Sequence, residues 1–216
     1  MQQIILTQKD TLARKVKSAL EEFFSTAGEC NFSITQASEL SEIVLRVKKA
    51  PRSIVVLDFA EDEMRCVSLL LRLLKERQRI EILITNSGMP PQLIHCLFRC
   101  GVKGHLDTQA NSQAICQAII ALQRQHYYLS PVIVSQFIEW VKVGAGSFIQ
   151  NLSLTDSFLI YFAANERAAD KVCFALNMTR RTMKRHLGKL YKKLFVNNIK
   201  GLRNLYSSFL FQNSES

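Results

Sequence analysis

The sequence predicts an α/β domain followed by a smaller all-α domain. Three observations carry this. Short β-branched runs alternate with amphipathic helical stretches over roughly the first 126 of the 216 residues. From Leu152 to about Leu210 the apolar spacing is helical, with no strand pattern. The positive charge is concentrated in the second part: residues 1–125 carry 16 Lys+Arg against 13 Asp+Glu, and residues 126–216 carry 12 against 5, giving +3 and +7 of a total of +10.

The strand candidates are Gln3–Thr7, Asn31–Thr35, Ser53–Asp58, Ile80–Thr85 and Val102–Leu106. Helical faces lie after each of them. They are marked by Leu12, Val16, Leu20 and Phe24, then Leu40, Ile43, Val44 and Val47, then Met64, Val67, Leu70, Leu71 and Leu74. Leu93, Leu97 and Cys100 mark a fourth, and Ile115, Ile119 and Leu122 a fifth. Spacings of three and four put each set on one side of a helix. Parallel strands need crossover helices, so five βα units imply a parallel, doubly wound sheet. In such sheets functional residues gather at the carboxyl ends of the strands, which points to Thr7–Asp10, Asp58 and Thr85–Asn86.

Three segments make the first domain specific: Ile54-Val55-Val56-Leu57-Asp58, Ile82-Leu83-Ile84-Thr85 and Cys100-Gly101-Val102-Lys103-Gly104-His105-Leu106. With these, residues 1–126 resemble a response-regulator receiver domain of flavodoxin-like (βα)5 topology. The resemblance implies that Asp58 stands where the family's aspartate accepts a phosphoryl group, and Thr85 where a hydroxyl senses it. The departures are equally specific. The family's acidic pair for magnesium at the end of the first strand is replaced by Gln8 and Lys9 in the best register, or by Thr7 and Gln8 one residue earlier. The family's lysine after the fifth strand is Thr108.

An aspartate attacking a phosphoryl donor needs a cation to neutralise the developing charge, and magnesium is usually held through one or two carboxylates. Asp58, alone or with Asp10, is a poor cage. The Lys9 ammonium can occupy the cation's place instead. The expectation is therefore a pseudo-receiver acting without conventional aspartyl phosphorylation, its degenerate pocket made of Gln8, Lys9, Asp10, Asp58, Thr85 and Thr108. Phosphorylation through an improvised site is the alternative, and an inherited Asp58 that only pairs with Lys9 is the blandest one.

Residues 127–150 read as a linker. Tyr127-Tyr128-Leu129-Ser130-Pro131 resembles the stretch after the last receiver helix in the NarL/FixJ subgroup, with Ser130 as a cap and Pro131 in the first turn of a short helix. Val134, Ile138 and Val141 make its apolar face, expected to pack within the chain, with a dimer contact as the alternative. Gly144-Ala145-Gly146-Ser147 is the linker proper.

Residues 151–216 read as four short helices. Thr155 is the expected cap of the first, the second runs from about Ala168 to Leu176, and Asn177-Met178-Thr179 makes a tight turn, with Thr179 capping the third. On that third helix Met183, Leu187, Leu190 and Leu194 share one narrow side, while Arg181, Arg185, Gly188, Lys189 and Lys192 lie opposite. Thr179–Arg203 holds nine basic residues and no acidic one. A cationic face of that density implies a polyanion partner. The last helix, about Asn198 to Phe211, carries Leu202, Leu205 and Phe209.

Thr182-Met183-Lys184-Arg185-His186, followed by Leu190-Tyr191-Lys192-Lys193-Leu194-Phe195-Val196, resembles the LuxR-type helix-turn-helix signature, and Leu152-Ser153-Leu154-Thr155-Asp156 resembles its upstream start. The family usually has glycine where Phe195 stands. The resemblance implies a double-stranded DNA partner. It gives Lys184 the position that faces the major groove, places Arg181 and Arg185 beside it, and puts Thr179 and Lys192 or Lys193 on phosphates. Arg180 and Lys189 complete the expected DNA-binding set.

The reading is thus a cytoplasmic, dimeric DNA-binding regulator with no cofactor. The alternative is an interaction protein that pairs with an ordinary response regulator to redirect or block its DNA binding. An enzyme is not expected, because the sequence has no P-loop, G-x-G-x-x-G, H-E-x-x-H or G-x-S-x-G motif. Membrane attachment is not expected either, since the oily side of the basic helix is needed for its own core. The six cysteines form no C-x-x-C pair; Cys96 and Cys100, four apart, read as buried thiols rather than a zinc site.

Overall fold

The computed structural model describes residues 2–7, 10–27, 32–37, 39–50, 52–59, 62–75, 79–142 and 152–211. The contacts divide the chain into two compact units: Met1–Met89 with Cys100–Ile133, and Pro90–Arg99 with Val134–Ser216. The elements of the first half are β1 (Gln2–Thr7), α1 (Asp10–Ala27), β2 (Phe32–Ala37), α2 (Leu40–Lys49), β3 (Arg52–Asp58), α3 (Glu63–Leu73), β4 (Arg79–Thr85), α4 (Pro91–Arg99), β5 (Gly104–Leu106) and α5 (Ser112–Gln123). Then follow β6 (Tyr128–Leu129), α6 (Pro131–Lys142), α7 (Leu154–Ala164), α8 (Ala169–Ala175), α9 (Arg180–Lys193) and α10 (Ile199–Phe211).

In the first unit the strands run parallel in the order β2-β1-β3-β4-β5-β6. The order reverses between β1 and β3, so the crevice at their carboxyl ends is the natural place for a site. Ile54, Val56, Leu83 and Leu106 pack under α1 and α5 with Val16, Leu20, Ile115, Ile119 and Leu122. Val55, Leu57, Ile82 and Ile84 alternate with them and are also buried, as a sheet covered on both faces requires. The strands therefore read as nearly continuous apolar runs.

Two features depart from the sequence reading. β6 adds a two-residue strand at the edge, inside the stretch read as linker. Its amides are satisfied by β5 and its approach: Tyr128 N–H donates to the Lys103 carbonyl at 3.0 Å and Ser130 N–H to the His105 carbonyl at 3.1 Å. An edge strand left open would expose those acceptors. The second departure is α4, which groups with the C-terminal residues although it falls inside residues 1–126. There Arg99 donates to the Leu152 carbonyl at 2.8 Å and to Ser157 Oγ at 3.1 Å.

In α6, Ile133 is the buried apolar residue, while Val132, Val134 and Ile138 are exposed. The expected inward face at Val134 and Ile138 is thus corrected, and Val141 has no described side chain. The Ser130 hydroxyl, expected as a helix cap, meets His105 Nδ1 at 3.1 Å. The Gly144–Ser147 linker lies outside the described residues.

β5 is constrained at two successive residues. A Cβ on Gly104 would stand 2.5 Å from Leu83 Cδ1 and 2.8 Å from Leu122 Cδ1, both on fully buried side chains. Gly104→Ala is expected to destabilise the protein by about 1–3 kcal/mol through overpacking, seen as a lower melting temperature. His105 is 1% exposed, and burial pushes its imidazole from 6.5 down to about 4, against the opposing pull of the nearby Asp107 carboxylate. Above pH 6.5 the folded and unfolded chains both hold it neutral. Between pH 6.5 and 4 only the unfolded chain binds the proton, so stability falls with falling pH, by on the order of 3 kcal/mol once both states are protonated. Denaturant titrations across that range should show the fall, and His105→Phe should remove this component of it.

Candidate nucleic-acid interface

The second unit builds its core on α7. Ser153, not Thr155, caps that helix, its hydroxyl accepting from Asp156 N–H at 3.1 Å. Behind the cap, Phe158 and Phe162 are fully buried with ring centroids 5.9 Å apart, and Tyr161 tilts against Phe162 at 5.5 Å. α8 buries Val172 and Ala175. The chain then turns at Asn177, whose φ of +50° is tolerated by asparagine, and Met178 N–H closes the turn on the Cys173 carbonyl at 2.9 Å. Thr179 caps α9, accepting from Thr182 N–H at 3.2 Å.

Met183 and Leu190 of α9 are buried, and Leu187 and Leu194 are half-buried beside them. His186 Nδ1 lies 3.5 Å from Asp156 Oδ1, bringing α9 and α7 together by a polar contact as well. α10 closes the unit with buried Leu202 and Tyr206. Tyr206 takes the inward place expected for Leu205, which is half-buried; the side chain of Phe209 is not described. Arg203 fixes α10 to the end of α7, donating to the Ala163 carbonyl at 2.8 Å and to Glu166 Oε1 at 2.7 Å.

This packing leaves Arg181, Lys184, Arg185, Lys189, Lys192 and Lys193 exposed, with Gly188 open among them. Among the described residues, Arg181, Lys184, Arg185, Lys189 and Lys192 have no ion-pair partner. Arg180 differs. Its Nε donates to Asp170 Oδ1 at 2.7 Å and its Nη2 to Asp170 Oδ2 at 2.5 Å, joining the start of α9 to the first turn of α8. The hydrogen bond holds the Asp170 carboxyl below the usual carboxylate range and raises Arg180. Asp170 was not singled out from the sequence. A pair ten residues apart across a turn has no periodic signal.

The expected phosphorylation pocket lies in the first unit. Asp58 ends β3 in register with Thr85, which is in turn opposite Leu106. Both side chains are buried, and Thr85 Oγ1 has no hydrogen-bond partner among the described residues. Gln8 and Lys9 lie outside those residues, and Asp10 opens α1. Thr108 is bound into its own loop: its hydroxyl makes a very short contact with Ser87 Oγ, and its carbonyl accepts from Lys15 Nζ at 3.2 Å. Asp107 beside it accepts from Ser87 Oγ at 3.3 Å and from Gln109 N–H at 2.7 Å. Lys15, Ser87 and Asp107 were missed because their roles depend on loops meeting in space. No group of three or more His, Cys, Asp or Glu gathers as a metal cage among the described residues, where Cys66, Cys96, Cys100, Cys116 and Cys173 are free thiols. No described helix is long and apolar enough to cross a membrane.

No protein-family model matches the chain. Among curated proteins it is similar to the probable transcriptional regulatory protein SgaR of Hyphomicrobium methylovorum, with 22% identity over 183 residues, 85% of this chain and 83% of SgaR. Among solved structures it is similar to the response regulator RcsB. It covers 96% of this chain and 98% of RcsB from Salmonella enterica serovar Typhimurium bound to the promoter P1flhDC (TM-score 0.60, 18% identity) and to the promoter rprA (TM-score 0.57, 18% identity). A further RcsB–DNA complex matches over the same shares at 16% identity and a TM-score of 0.54. The fold is therefore that of a response regulator of the RcsB type, an α/β domain joined to a helical domain.

In the turn after α9, Phe195 takes φ +55°, the left-handed conformation that glycine favours, with Val196 N–H bonded to the Tyr191 carbonyl at 3.0 Å. The backbone strain falls on a residue whose side chain is 95% exposed. Phe195→Gly is expected to raise stability by about 1 kcal/mol, read as a higher melting temperature.

Proposed function

We propose that this protein is a DNA-binding transcriptional regulator that acts as a dimer and works without conventional aspartyl phosphorylation. The observation that carries the DNA-binding reading is the exposed cationic side of α9 on a helix-turn-helix core, where Arg181, Lys184, Arg185, Lys189 and Lys192 have no ion-pair partner among the described residues. A major groove admits one α-helix between walls of phosphate. Fourteen residues span about 21 Å, enough to set the start of α9 on base edges and its flanks on both walls. In this reading Lys184 and Arg185 reach toward bases, while Thr179, Arg181, Lys189, Lys192 and Lys193 meet phosphates. The likeness to RcsB in its DNA complexes and to a probable transcriptional regulatory protein supports the same assignment.

Independence from phosphate is supported at Thr108. A neutral hydroxyl replaces the cation that would meet a phosphoryl oxygen, and Asp107 adds negative charge beside it. The buried Thr85 hydroxyl, without a hydrogen-bond partner among the described residues, is consistent with a pocket that keeps one sensing group while its charge partners differ. The C-terminal unit is then the output, and the first unit serves for assembly or for a signal other than phosphate.

The test is selection from a randomised DNA pool at several salt concentrations, with and without a phosphoryl donor and magnesium. A motif should emerge from untreated protein, with affinity falling steeply as salt rises and no gain from the donor. Lys184→Ala and Arg185→Ala should each weaken specific binding by about tenfold or more. A requirement for the donor, lost in Asp58→Asn, would restore the phosphorylation reading. Weak, sequence-blind binding would favour pairing with a second regulator.

A further inference from the structure

Arg180 is the one cation at the start of α9 whose fork is already occupied, and its partner is a carboxylate on the outer surface. Both side chains are largely exposed, 65% for Arg180 and 73% for Asp170, so the pair adds little to stability. Its consequence is geometric. A guanidinium has five N–H donors in a fixed plane. Asp170 takes the Nε–H and one Nη2–H, which leaves both Nη1–H bonds and the second Nη2–H. Those remaining donors include the end-on edge, two parallel N–H groups that match the O6 and N7 acceptors of guanine.

We propose that Asp170 makes Arg180 a base-reading arginine, holding its guanidinium at the head of α9 so that the end-on edge meets a guanine in the major groove. This rests on the DNA-binding reading above and assigns within it a specificity-determining residue and the residue that positions it.

Charge decides between base and phosphate. Asp170 stays ionised because its hydrogen bonds to Arg180 favour the carboxylate. The pair is therefore close to neutral and places a negative group next to whatever Arg180 touches. A phosphate gains little from such a pair and is repelled by the carboxylate. Guanine O6 and N7 are neutral acceptors and lose nothing. Arg180 stands at the first residue of its helix, the end from which recognition helices reach base edges. A free arginine must give up rotamer freedom to dock its fork, and the Asp170 contact fixes much of that freedom beforehand. Lys184 and Arg185, one turn further on, have no such anchor among the described residues.

The experiment is the same DNA selection on the full chain, comparing wild type with Asp170→Ala, Arg180→Ala and Arg180→Lys, with salt titrations and melting curves for each. Arg180→Ala should lose a guanine preference at one motif position, a drop in discrimination of about tenfold. Arg180→Lys should lose it too, because an ammonium keeps the charge but not the fork. Asp170→Ala should relax the same position while steepening the salt dependence, since Arg180 then acts as one more free cation per protomer, about 0.9 in log–log slope. An unchanged motif in all three variants, with shifted melting alone, would make the pair a structural staple and sink the proposal. A uniform loss of affinity in Arg180→Ala, with a slope shallower by about 0.9, would make Arg180 a phosphate contact and sink it as well. If wild type selects no motif, the DNA-reading assignment itself fails; if wild type selects one that Lys184→Ala disrupts and Arg180→Ala does not, only the present proposal fails.

Discussion

The functional surface depends on one constraint, the burial of a single side of α9 against α7. Met183 and Leu190 are drawn into a core organised by Phe158 and Phe162, and every cation of the helix is left on the outside as a result. Rotating α9 by a third of a turn would bury lysine and expose leucine, which neither desolvation nor packing allows. The rest of the unit serves that orientation. Ser153 and Thr179 begin α7 and α9 at fixed residues, His186 meets Asp156, and Arg203 holds α10 to the carbonyl end of α7. The basic side is thus the outcome of a packing problem, which explains how five of its cations stand without an ion-pair partner among the described residues.

The first unit shows a different economy. Its sheet is covered on both faces, and its loops at the carboxyl ends of the strands are where chemistry would sit. The loops after β4 and β5 carry local hydrogen bonds. Thr108, Asp107, Ser87 and Lys15 bind one another across two loops and α1. The β5 strand carries the neighbouring constraint, with Gly104 pressed between Leu83 and Leu122 and His105 held neutral against Ser130. β5 is therefore tightly constrained along the edge where β6 pairs with it.

Much of this was legible in the sequence. The β-branched runs at Ser53–Asp58 and Ile80–Thr85 became β3 and β4 within a residue, because doubly covered parallel strands read as apolar runs. α9 was fixed by its 3.6-residue period and by Thr179 as its cap. The cap of α7 was misplaced by two residues because Ser153 and Thr155 are both good caps, and only the path of the backbone chooses between them. β6 was missed because two residues have no period. The inward face of α6 was misjudged because Val134 and Ile138 are apolar, yet which side of a helix is covered depends on its neighbours.

By itself the sequence determined the order of the five main strands and their helices, the polarity of each helix face and the concentration of positive charge in the last third of the chain. These are local properties, set by side-chain periodicity and by residue type. The tertiary structure alone decided which polar groups meet one another. Asp170 meets Arg180, Lys15 meets the Thr108 carbonyl, and Ser130 meets His105, across separations of 10, 93 and 25 residues. Such pairs form where the fold brings loops and helix ends within about 3 Å, a distance that hydrogen bonds require and that no spacing along the chain encodes.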